Sequence, residues 1–166
     1  MNSFPSALLF LLLSTASSGI AAASENELPA DAAEALRSGS GVVIYSLEPY
    51  EPEGEEGTGS ERLHGFQVLG RAALDPTNTR TAVAEFETAI ADWDGAVAMC
   101  FDPRHALRTE SGGHTFDFLL CYDCNELAVY RDGTQVASIG ITGSPRALDE
   151  MMAGLGLALS ETGDDD

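Results

Sequence analysis

The stretch from Ala106 to Ile139, ALRTESGGHTFDFLLCYDCNELAVYRDGTQVASI, decides the fold. Two turn signals divide it. Ser111-Gly112-Gly113 separates Ala106–Glu110 from His114–Cys121, and Asp132-Gly133 separates Glu126–Arg131 from Thr134–Ile139. Glycine enters the left-handed backbone region at no steric cost, and the flanking runs are rich in aromatic and β-branched residues. Two successive antiparallel hairpins follow. With the first turn at 111–113, Arg108 falls near Asp117 and Arg104 near Cys121, while Cys100 and His105 lie further along the entering strand. A one-residue slip would turn every side chain to the other face.

Outward from the hairpins, the N-terminal side supplies one strong helix. Asp75 caps it, Pro76 suits its first position, and Ala82, Val83, Phe86, Ala89, Ile90 and Trp93 recur at helical spacing up to Gly95. Before it, Val42–Leu47 and Leu63–Ala73 read as strands, with Gly65 and Gly70 as bulge positions, and Ala30–Leu36 as a short helix. Ala96–Phe101 (AVAMCF) is continuous and apolar, the pattern of a buried central strand. At the other end, Ser144-Pro145 opens a last helix whose stripe is Leu148, Met151, Met152, Leu155 and Leu159. The expected class is α+β: an antiparallel sheet of about five to seven strands with two main helices packed on one face.

Residues 1–23 have the form of a signal peptide. A short apolar core, Ala7–Leu13, precedes the small residues Ala21-Ala22-Ala23, and it is too short to span a bilayer. Residues 24–40 read as a polar N-terminal segment, 41–160 as a single, monomeric α+β domain, and 161–166 (ETGDDD) as a disordered acidic tail. Residues 48–61, rich in Glu, Pro and Gly, lack the ligand spacing of a calcium loop and read as a solvated loop.

There are 27 acidic residues against 8 basic ones, a formal net charge of −19, and every base is arginine. Such a field repels nucleic acid and anionic membrane; its plain consequence is solubility. The reading is therefore an exported protein, periplasmic or extracellular, with no nucleic-acid partner and no membrane association once the leader is removed.

All 3 cysteines frame the first hairpin: Cys100, Cys121 and Cys124. In an exported chain a disulfide of Cys100 with Cys121 or Cys124 is the leading reading, leaving one thiol over. A zinc site of Cys100, His105, Cys121 and Cys124 is the second; its spacing matches no standard finger. Thiol–disulfide exchange by Cys121 and Cys124 is the third, although the pair precedes a strand rather than opening a helix. A nucleophilic cysteine with His105 or His114 as base is the fourth, without a supporting local signature. Arg104 pairs with Asp102, Asp117 or Asp123, or else presents its fork to an anion. His64 reads as a surface or edge residue. Together these features point to a non-catalytic binding or structural module with a disulfide-stabilised centre and no cofactor; the alternatives are a zinc module and a thiol redox protein.

Cys100-Phe101-Asp102-Pro103-Arg104-His105 and Cys121-Tyr122-Asp123-Cys124 together resemble a pattern in small exported bacterial proteins of uncharacterised function, Cys-aromatic-x-Pro-Arg-His followed beyond a strand by Cys-aromatic-x-Cys. The resemblance implies bacterial export and carries no activity, cofactor or partner with it.

Overall fold

A computed structural model describes residues 26–50 and 61–160. The signal-like residues 1–23, most of the glutamate-rich loop and the tail 161–166 lie outside the described residues. The described residues form α1 (Ala30–Ser38), β1 (Ser40–Glu48), β2 (Arg62–Leu63), β3 (Phe66–Ala73), α2 (Pro76–Ala91), β4 (His105–Ser111), β5 (His114–Cys121), β6 (Glu126–Arg131), β7 (Thr134–Gly140) and α3 (Arg146–Gly154). The strands make one 7-stranded antiparallel sheet in the order β2-β3-β1-β4-β5-β6-β7.

Both hairpins occur where the turn residues place them. Arg108 stands opposite Asp117, and Gly112, Gly113 and Gly133 all adopt positive φ. Alternation along the strands then sorts the two faces. Ile44, Leu107, Phe118 and Val129 stand in one cross-strand row and bury against the helices. One residue along, Tyr45, Ala106 and Leu119 form a row on the second face, in a smaller apolar cluster with Leu47 and Leu63.

The helices share the first face. Asp75 caps α2 through its carboxylate, which accepts from the N–H groups of Thr77 and Asn78 at 2.8 Å. Phe86 then meets Phe118 edge-on, with centroids 6.4 Å apart. In α3, Leu148 and Met152 are fully buried, whereas Leu159 of the expected stripe lies beyond the helix and is exposed. α1 belongs to the same core through Ala32, Ala35 and Leu36, so the domain begins before residue 41 and has a third helix on its face.

Two local expectations change. Leu63–Ala73 is not one strand: His64 and Gly65, with φ of 50° and 97°, reverse the chain between β2 and β3. Gly70 does sit at a bulge, where the β1–β3 register shifts. Ala96–Phe101 is not a strand at all. It is an irregular crossing between α2 and β4, with Val97 60% exposed and Met99 fully exposed. Length and apolarity suited this segment to a strand, but β1 and β5 already flank β4 on both edges, and Pro103 has no N–H to offer a ladder.

The sheet curls strongly. In a flat sheet, β2 and β5 would be four strand spacings apart, roughly 19 Å. Instead His64 Nε2, at the β2–β3 turn, lies 2.7 Å from Asp117 Oδ2 on β5, and its ring stacks on Tyr130 of β6 at 3.6 Å. The curl therefore closes over the second face.

Candidate three-cysteine centre

The centre forms where the β5–β6 hairpin turns. Cys121 ends β5, and Tyr122-Asp123-Cys124-Asn125 make the reversal. Asn125 takes the left-handed conformation (φ 55°) that its short polar side chain tolerates, and its N–H donates to the Tyr122 carbonyl. Cys121 and Cys124 form a disulfide across this turn. The bond thus joins the two cysteines expected to act as an exchange pair, and Cys100 is not in it. Both bonded cysteines are buried, at 1% and 0% exposure.

The irregular crossing carries Cys100 to the same place. Ala98 N–H donates to the Cys124 carbonyl at 3.0 Å, and Asp102 N–H donates to Cys124 Sγ at 3.3 Å. These two bonds bracket Cys100, whose thiol is free and exposed. The three sulfur atoms all lie within 4.8 Å of one another. Cys124 N–H also donates to Cys121 Sγ at 3.2 Å. Desolvation, with the negative charges of Asp102, Asp123 and Glu126, pushes the Cys100 thiol above its ordinary value. That is the opposite of the environment that activates a thiolate.

His105 does not join the sulfurs. It stands opposite Leu120 on the helix side of the sheet, whereas Cys121, one residue on, points to the other side. Its Nε2 is 2.7 Å from Asp149 Oδ1 of α3, and the ring is buried. The four-ligand set therefore fails at its histidine. His114 is equally distant from the role of base: it sits at the far end of β5 with Nδ1 on Asp132 Oδ2 at 2.6 Å. Of the partners expected for Arg104, the nearest is Asp123, at 3.8 Å and beside Cys124. The Arg104 Nε is buried without a hydrogen bond.

Tyr122, on the helix side of the turn, borders an open cleft of about 410 Å³ between α2 and α3. Burial, with Glu85 and Asp149 nearby, pushes its phenol up to about 12, so it stays neutral.

A second polar group was not anticipated as a unit. Asp117, 2% exposed, accepts from Arg108 and His64 together, and the Arg108 guanidinium lies over the Tyr45 ring at 5.5 Å. The hairpin register pointed to the Arg108–Asp117 pair. Nothing local in the sequence pointed to His64, because its contact depends on the curl of the whole sheet.

No protein family, curated protein or solved structure matches this chain. Among the described residues, no helix is long and apolar enough to cross a membrane.

Proposed function

We propose that the protein is an exported, redox-responsive thiol module in which Cys100 is the solvent-facing partner of the buried Cys121–Cys124 disulfide. The observation that carries this reading is the grouping of three sulfurs with only Cys100 at the surface. A purely structural role explains the bond less well. It closes a loop with a sequence separation of only 3, in a turn that β5–β6 pairing already closes. In the chain-entropy model such a loop contributes about 2 kcal/mol, against roughly 3 kcal/mol for a bond from Cys100. The acidic surroundings and the absence of a helix N-terminus at the pair favour a responsive element over a turnover enzyme.

The exchange needs no outside oxidant. The Cys100 thiol gives up its proton and the thiolate attacks one sulfur of the disulfide. A Cys100 bond forms as the Cys121–Cys124 bond breaks, and the displaced sulfur leaves with the electron pair and takes up a proton. The disulfide has now moved to the surface, where a small dithiol can attack Cys100 Sγ. Dithiothreitol delivers two electrons and two protons and closes as its own cyclic disulfide.

The test is the rate at which dithiothreitol opens the disulfide in the native protein, read by alkylation and intact mass. Cys100→Ser, a substitution at an exposed position outside the disulfide, should slow opening at least about tenfold, because the remaining sulfurs are buried and reaction depends on access. Equal rates in the two proteins would remove Cys100 from the pathway and return the disulfide to a structural role.

A further inference from the structure

From the same sulfur cluster we infer a second state: with the disulfide open, Cys100, Cys121 and Cys124 form a three-thiolate site for a divalent thiophilic cation of the zinc class, with the fourth position left open. The inference rests on the reading above in one respect, that the disulfide opens without unfolding the domain.

Distance supports it first. Thiolates bound at about 2.3 Å to one metal ion lie roughly 4 Å from each other. The three sulfurs already lie within 4.8 Å of one another. Cys100 therefore approaches by less than about 1 Å, while the bonded pair separates within a Cys-x2-Cys turn, a spacing suited to one metal. Hydrogen bonding supports it next. Metal-bound thiolates need donors, and two are in place: Asp102 N–H on Cys124 Sγ and Cys124 N–H on Cys121 Sγ.

Charge selects the ion. Asp102, Asp123 and Glu126 surround Cys100 with negative charge. Three thiolates added there leave less uncompensated charge around a divalent ion than around a monovalent one. The fourth position is open because His105 is held on the other face by Asp149. Three protein ligands with an open place differ from a closed structural site.

Cobalt(II) is the probe, added anaerobically to reduced protein freed of reductant. Reduction is carried out in native buffer, and after quenching the thiols are counted by alkylation in denaturant, because Cys121 and Cys124 are buried in the folded protein. If three are not found, the exchange reading fails, and protein reduced in denaturant and refolded is used for the metal titration, so that the two failures read separately. The expected result is one cobalt per chain with an intense sulfur-to-cobalt charge-transfer band, displaced by one equivalent of zinc. Cys100→Ser should weaken binding by more than about 100-fold, beyond the usual cost of losing an outer-shell partner. His105→Gln should leave the band unchanged. No band in protein with three free thiols would overturn the inference. So would a band that survives Cys100→Ser undiminished, or one lost in His105→Gln while circular dichroism shows the fold intact.

Discussion

Asp117→Asn should lower the stability of the domain by about 3 kcal/mol, the low end of the roughly 3–5 kcal/mol that breaking a buried ion pair costs. Asp117 is 2% exposed and is the shared acceptor of Arg108 and His64. Removing its charge leaves a guanidinium without its carboxylate beneath the curled sheet. The Arg108 side chain is 35% exposed, so water recovers part of the loss, which is why the low end is expected. The effect is read as a shift in the urea midpoint with unchanged m-value. A shift under about 0.5 kcal/mol, the range of ordinary surface substitutions, would mean that the cluster does not hold the curl.

The same carboxylate makes a pH prediction. Burial alone would raise the Asp117 carboxyl, but the hydrogen bonds and charges of Arg108 and His64 outweigh it and hold the group below its ordinary value. A depressed folded-state value means that the unfolded chain binds the proton more readily. The contribution is fully present above the unfolded value of about 3.9 and is lost as the pH falls through the folded one. Stability of the wild-type protein should therefore fall more steeply than that of Asp117→Asn below about pH 4. Parallel curves through that range would contradict the pairing.

Phe118→Ala should cost about 3–5 kcal/mol, and Met99→Ala less than about 0.5 kcal/mol. Phe118 is fully buried in the centre of β5, edge-on to Phe86 of α2, where truncation leaves a cavity between sheet and helix. Met99 lies in the apolar run that reads as a central strand but is fully exposed. The comparison separates the two placements of that run. If Met99→Ala approached the cost of Phe118→Ala, Ala96–Phe101 would be core, and the approach of Cys100 to the disulfide would need a different explanation.

Local rules determined much of this protein. Gly112-Gly113 and Asp132-Gly133 demanded turns, the runs beside them demanded strands, and Asp75-Pro76 demanded the start of α2, because each signal acts through a few neighbouring residues. The α+β class and the Arg108–Asp117 register followed from those signals. Tertiary structure alone decided which cysteines bond, where His64 goes, and that Ala96–Cys100 of an apolar run stay exposed while Phe101 packs on the second face. Composition made Ala96–Phe101 a strand, but a strand needs a free neighbouring edge, and β4 has none. Sequence spacing placed His105 with the cysteines, but the period of two in a strand sent it to the opposite face. His64 reaches Asp117 only because the sheet curls across several strands. Each of these outcomes depends on segments distant in the chain meeting in space, which no local pattern encodes.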